Sequence, residues 1–252
     1  MAFEVGAESY GRFMGRFAEP LAVQFADLAS VAAGQRVLDV GCGPGALTAQ
    51  LVQRLGCAAV AAIDPSAEFV AAVRERFPEI AVQRGVAERL PFPDGSFDAA
   101  LAQLVVHFMT DPVVALAEMA RVTHPGGLVA ACVWDHAGGA GPLATFWQAV
   151  HDLDPGAPDE AGLPGAREGH LAELCEAAGL RHIEPGNLTV KVRFATFTGW
   201  WEPFTLGVGP AGDYVRKLDQ AHREALRTRC AQLLPRAPFE LCASAWSVRA
   251  RA

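Results

Sequence analysis

The segment "VLDVGCGPGAL" (residues 37–47) sets three glycines, Gly41, Gly43 and Gly45, directly behind four strand-forming residues and ahead of a helix-like run. Glycine weakens regular structure and is useful where backbone must turn sharply or come close to another group. A glycine-rich turn from a strand into a helix leaves room for a ligand beside the helix N-terminus. The spacing is Gly-x-Gly-x-Gly, with Pro44 stiffening the loop and Ala46 next. It misses the Gly-x-Gly-x-x-Gly of dinucleotide-binding turns by one place. Asp64 closes the next strand-like run, "AAVAAID", at about the separation where nucleoside-binding folds set an acid on ribose hydroxyls. A carboxylate accepts hydrogen bonds from a vicinal diol whether or not the ligand carries phosphate. The alternative for Asp64, capping the following helix, suits Ser66 better. Asp39 lies inside the first strand, where a buried carboxylate requires partners. Loop N–H groups or a ligand's ammonium would both serve.

The elements that must position these residues are legible from periodicity. Strand-like runs at 36–41, 58–64, 80–85, 97–105 and 127–134 alternate with helical patterns at 46–55, 66–77 and 111–122. Near-continuous apolar strands separated by helices predict a parallel sheet covered on both faces. After Trp134 the pattern loosens into Gly/Pro-rich loops. A helix follows at 170–180, ended by Gly179, and alternating strands at 187–194 and 239–250. Between those strands lie "TFTGWWEPFTLGVGP" and a long helix over roughly 211–234, which together read as an insertion. "HPGG" (124–127) reads as a turn without chemistry.

Composition narrows the function classes. Half of the 252 residues are hydrophobic, which permits a sizeable core, and the net charge is -7. A net acidic chain is a poor partner for a nucleic-acid backbone. The six cysteines are scattered with no Cys-x-x-Cys pair, so neither a zinc site nor a disulfide framework is expected. The N-terminus lacks the pattern of a secretory signal, and no uncharged apolar run reaches about 18 residues. The expectation is a cytoplasmic protein with no metal, nucleic-acid or membrane partner.

Taken together, "VLDVGCGPGALT", "AAIDPSAEFV", "GVAERLPFPDGSFDAALAQLVVHF" and "RVTHPGGLVA" resemble the successive motifs of class I S-adenosylmethionine-dependent methyltransferases. The nearest subgroup is the type 11-like one that includes the ubiquinone and menaquinone biosynthesis methyltransferases. The match is in order and in register from about Gly11 to Trp134, and the last third resembles the family only in architecture. The resemblance implies a Rossmann-like α/β fold: a mostly parallel seven-stranded sheet with helices on both faces, an antiparallel C-terminal strand, and a helical insertion between the last two strands. It implies one domain over 1–252, with an N-terminal helical cover (1–33), a cofactor-binding half (34–135) and an inserted lid or substrate segment (195–236).

The implied cofactor is S-adenosylmethionine, with S-adenosylhomocysteine as product. Gly41, Gly43 and Gly45 would line its methionine and adenosine portions, Asp64 would hold the ribose, and Pro65 with Ile63 would lie against adenine. The family's Gly-Asp-Ala-Glu series is Gly85-Val86-Ala87-Glu88 here. Val86 cannot accept the adenine hydrogen bond, so recognition falls to the Ala87 backbone and Glu88. Gln103 would border the methionine end. "YGRFMGRF" (10–17) resembles the subgroup's N-terminal cover, with Arg16 a partner for the methionine carboxylate and Tyr10 closing over the sulfonium. A plain amphipathic helix with solvated arginines is the alternative.

The acceptor is less legible. His107, at the exit of the fourth strand, is the best general-base candidate, with a packed histidine as the alternative; His136 and His151 are weaker. Trp134, Trp200 and Trp201 are candidates for an aromatic substrate pocket, and ordinary packing explains them equally well. The fourth strand lacks the Asn-Pro-Pro-Tyr or Asp-Pro-Pro-Tyr of enzymes that methylate nucleobase or amide nitrogen, which favours a small-molecule acceptor. Two other classes compete: a non-catalytic S-adenosylmethionine-binding regulatory protein and a nicotinamide-dependent oxidoreductase.

Overall fold

A computed structural model describes residues 6–252. The described chain forms a seven-stranded sheet in the order β3-β2-β1-β4-β5-β7-β6. Its elements are α1 (Ala7–Tyr10), a π-helical turn (Gly11–Gly15), α2 (Arg16–Ala29), β1 (Val37–Val40), α3 (Ala46–Leu55), β2 (Val60–Asp64), α4 (Ala67–Arg76), β3 (Ala81–Arg84) and β4 (Phe97–Gln103). They continue with α5 (Pro112–Val122), β5 (Thr123–Trp134), α6 (Ala144–Leu153), α7 (His170–Ala177), β6 (Arg181–Phe194), α8 (Phe197–Trp201), α9 (Gly209–Lys217), α10 (Gln220–Leu233) and β7 (Phe239–Arg251). β1 pairs in parallel with β2 and β4, and β4 with β5. β7 slots between β5 and β6, antiparallel to both.

Alternation along the strands explains the two-sided core. In β4, Ala99 and Leu101 point into one buried cluster, while Ala100 and Ala102 point into the other. The first cluster takes in Leu21 and Phe25 of α2, Leu47 and Leu51 of α3, and Phe146 of α6; the second takes in Leu116 and Met119 of α5 and Leu171 of α7. With both faces covered, a period-two strand has no polar side, which is why the sequence shows unbroken apolar runs.

Helix ends follow local chemistry. Ser66 caps α4 by accepting from the Phe69 N–H, and Asp111 caps α5 by accepting from Val113 and Val114, with Pro112 in the first turn. Gly179, with φ +81°, follows α7.

Three details differ from the periodicity. The expected helix over 211–234 is two helices, because Leu218 is extended and Asp219 starts α10 afresh by accepting from the His222 N–H. β6 begins at Arg181 rather than at 187, since β7 pairs with it almost throughout, across a register shift between Arg181 and Glu184. "HPGG" lies inside β5, where the register against β4 shifts between Phe97 and Ala99. The inserted segment lies between β6 and β7 as α8, α9 and α10 with a 3-10 turn after α8. No helix is long and apolar enough to cross a membrane among the described residues.

Candidate functional site

The loops leaving the C-terminal ends of β1, β2, β3 and β4 enclose a cavity of about 290 Å³. It lies where β2 and β4 flank β1 on opposite sides, the switch point at which doubly wound sheets bind ligands. Tyr10, Asp39, Gly41, Gly43, Asp64, Pro65, Ala87, Glu88 and Gln103 all line it.

The glycine loop is held from two directions. Gly41 donates to the Ile63 carbonyl (2.8 Å), and the Gly43 N–H donates to Asp64 Oδ2 (2.9 Å). Gly41 has φ +70°, and a Cβ there would stand 2.8 Å from Val105 Cβ, so only glycine fits. Gly43, with φ +53°, faces open space. Gly45 is the exception to the expectation. It has φ +95°, faces Val73 and Phe77 of the neighbouring helix region, and does not line the cavity. Its place is the left-handed N-cap of α3, where it closes the turn.

Asp64 is buried, and its two oxygens accept from Gly43 and Ser66 backbone N–H groups (2.9 and 2.8 Å). Burial raises its pKa despite those bonds. Each carboxylate oxygen retains a second lone pair, so Asp64 can hold the loop and accept from a diol together. Asp39 Oδ2 accepts from Thr48 Oγ1 of α3 (2.6 Å), while its Oδ1 has no partner. Burial pushes the Asp39 pKa up to about 7. Gln103 is similar: Nε2 donates to the Ala18 carbonyl (3.0 Å) and Oε1 is buried without a partner. Two orphaned acceptors on one cavity wall are a costly arrangement unless a donor such as an ammonium meets them. The residues present therefore fit an amino-acid end at Asp39 and Gln103 and a ribose end at Asp64.

Glu88 lines the cavity, but its Oε1 accepts from the Thr110 and Asp111 N–H groups (2.7 and 3.3 Å), tying the start of α5 to the loop after β3. Val86 is 48% exposed on the same wall. Tyr10 packs edge-on against Phe69 (5.4 Å), and burial raises its phenol to about 12.

Arg16 is elsewhere. Its Nη1 donates to the Gly199 carbonyl (3.0 Å), its Nε to the Arg12 carbonyl (3.1 Å), and its guanidinium lies over Phe194 (5.1 Å). It ties α2 to the inserted segment and does not line the cavity, which corrects its expected role at a carboxylate. The reason is helical phase: Gly11–Gly15 form a π-helical turn, which shifts the facing of the residues that follow.

Trp200 and Trp201 are also displaced from their expected place. Both are buried with Phe197 and Phe204, the Trp200–Phe204 centroids lying 4.8 Å apart, and they line none of the described cavities. Trp134 and His107 do line one. A small cavity of about 30 Å³ shares Tyr10, Leu104 and Phe108 with the large one, and His107, Trp134, His136 and Glu160 stand on its wall. His107 is 6% exposed and packs on Phe108 (3.9 Å). Burial, then the neighbouring His136, holds its pKa well below the usual imidazole range.

Thr48, Val105 and Glu160 were not singled out from sequence. Thr48 was in principle findable as the polar residue in the first turn of an otherwise apolar helix face. Glu160 sits in an irregular Gly/Pro-rich loop that carries no periodic signal.

A doubly wound sheet with a glycine-lined cavity at its switch point and an acid at the tip of β2 defines a Rossmann-like nucleoside-binding domain. Residues 38–131 match the Methyltransferase domain family model, Methyltransf_11. Over that stretch the chain is similar to methyltransferase domains. The chain is 38% identical over 128 residues to the malonyl-[acyl-carrier protein] O-methyltransferase of Erwinia billingiae, covering 51% of this chain and 50% of that protein. It is 42% identical over 94 residues to the demethylmenaquinone methyltransferase of Beutenbergia cavernae, covering 37% and 38%. The match thus spans half or less of the length of these relatives. Phosphoethanolamine N-methyltransferase 2 of Haemonchus contortus, solved with S-adenosylhomocysteine, shares the fold at TM-score 0.61 and 17% identity, over 97% of this chain and 56% of that one.

Proposed function

We propose that this protein transfers the methyl group of S-adenosylmethionine to a small-molecule acceptor. The observation that carries this is the 290 Å³ cavity in which Asp64 stands at the tip of β2 and two unpartnered acceptors, Asp39 Oδ1 and Gln103 Oε1, share the lining. Asp64 accepts from the ribose diol, the glycine loop gives clearance, and the Ala87 backbone with Pro65 recognises adenine. The donor supplies a methyl already activated on a positively charged sulfur, so positioning supplies much of the rate enhancement. His107, neutral in its buried setting, takes the acceptor's proton where one must leave. The net charge of -7 supports a small acceptor over a nucleic acid.

Titration calorimetry tests the donor assignment. S-adenosylmethionine and S-adenosylhomocysteine should bind and NAD should not; binding of NAD alone would sink it.

A further inference from the structure

Three cavities stand in a row. The 290 Å³ cavity shares Tyr10, Leu104 and Phe108 with the 30 Å³ cavity. The latter shares His136 and Glu160 with a third, of about 210 Å³, whose wall includes Asp135, Gln148, His151, Asp159 and Ala161. Ala137, Gly139, Gln148 and Asp159 of that third pocket are exposed, so it faces solvent. The small middle cavity thus borders both the large cavity and the outer pocket, the position of a neck between them.

The neck carries polar groups that the protein does not satisfy. Trp134 Nε1, His107 Nδ1 and His136 Nε2 are buried ring nitrogens with no hydrogen-bond partner, and Trp134 and His107 are 1% and 6% exposed. All three rings belong to the lining of the small cavity, and unsatisfied polar atoms on such rings call for a ligand's polar group. An indole N–H can only donate, whereas a neutral imidazole offers one donor and one acceptor. With Nδ1 of His107 as the lone-pair nitrogen, a partner that accepts from the indole and donates to the imidazole satisfies both. A hydroxyl does this and still keeps a lone pair for attack. A neutral amine has one lone pair, which attack on the methyl consumes, and an ammonium has none.

The outer pocket constrains the rest of the molecule. Among its lining residues are Asp135, Asp159 and Glu160, with His136 and His151 and no lysine or arginine. Asp135 Oδ1 accepts from Gly138 (2.7 Å), Glu160 Oε2 from Trp147 Nε1 (2.9 Å), and His151 Nε2 is 3.6 Å from Asp159 Oδ2. An anionic substituent would meet carboxylates without a compensating fixed cation, a repulsive element of specificity.

We propose that the methyl acceptor is a hydroxyl group on a molecule without an anionic substituent, which enters by the outer pocket and presents its oxygen in the neck to Trp134 and His107. This rests on the large cavity being the donor site. The oxygen bonds the methyl carbon as the carbon–sulfur bond breaks. Both electrons of that bond stay on sulfur, and the hydroxyl proton passes to His107 Nδ1.

The test follows the indole and imidazole ring signals of the whole chain by nitrogen-15 NMR, with S-adenosylhomocysteine affinity measured separately by calorimetry. Phenol, benzylamine and benzoate are the probes. Phenol should shift the Trp134 and His107 signals, and benzoate should leave them unmoved. Ala161→Trp, which fills the outer pocket, should lose the phenol shift with S-adenosylhomocysteine affinity unchanged. Gln148→Trp, built on the exposed rim, repeats the test should the first variant not fold. No phenol response, or a stronger one to benzylamine or benzoate, overturns the acceptor class. A phenol shift that survives the blocked pocket overturns the route. Failure of S-adenosylhomocysteine to bind the unmodified chain would overturn the donor assignment, a result read independently of the phenol shifts.

Discussion

The Asp64 carboxylate, at the tip of β2, accepts a hydrogen bond from the Gly43 N–H across 2.9 Å, joining two loops 21 residues apart. One carboxylate therefore shapes the glycine loop and faces the cavity that the loop helps enclose. Asp64→Ala removes both functions. We expect S-adenosylhomocysteine binding to weaken by roughly 2–3 kcal/mol, the loss of charged hydrogen bonds. Calorimetry checks this, and an unchanged affinity would remove Asp64 from the ribose.

Gly41→Ala should destabilise the fold by about 1–3 kcal/mol, through a positive φ and the overlap with Val105. Adding Val105→Ala should recover part of the loss, because only the overlap is relieved. Urea unfolding of the single and double variants measures both terms; equal stability of the two would refute the contact.

Asp39 gives the pH dependence a sign. Its folded pKa is raised to about 7 from 3.8, so the native state holds its proton over a range in which the unfolded chain has lost it. Stability should therefore fall as pH rises from about 4 to about 7. Asp39→Asn keeps the shape without the titration and should flatten that slope in unfolding curves recorded across the range. A wild-type slope in the variant would assign the effect to another group.

Arg16→Ala tests the corrected position of this side chain. The lost hydrogen bond to Gly199 and the contact with Phe194 should cost about 1 kcal/mol of stability. S-adenosylhomocysteine affinity should be unaffected, and a large drop would return Arg16 to the binding site.

Trp200→Ala should cost about 3–5 kcal/mol, as for other buried aromatic truncations, because its ring packs on Phe204 in the core. Thermal unfolding measures it. A variant as stable as wild type would mean the ring is not packed as described.

The sequence by itself determined the strand-and-helix alternation of the first 134 residues, the glycine turn, and Asp64 at the end of β2. These depend on local rules: apolar period, backbone freedom and capping. Ser66 and Gly179 mark helix ends for the same reason. Tertiary structure decided what each side chain meets. Gly41 and Gly45 look alike in sequence, yet one borders the cavity and the other packs against Val73 and Phe77, because their Cβ directions differ within one tight turn. Arg16 and the tryptophan pair were equally open until packing chose Gly199 and Phe204 as their neighbours. Trp134 and His136 leave the end of β5, whereas His107 follows β4 and Glu160 sits in the loop after α6, stretches that share no period. The pairing of β4 with β5 and the folding back of the loop after α6 set them around one small cavity, and residues 208–211 of the inserted segment complete its wall.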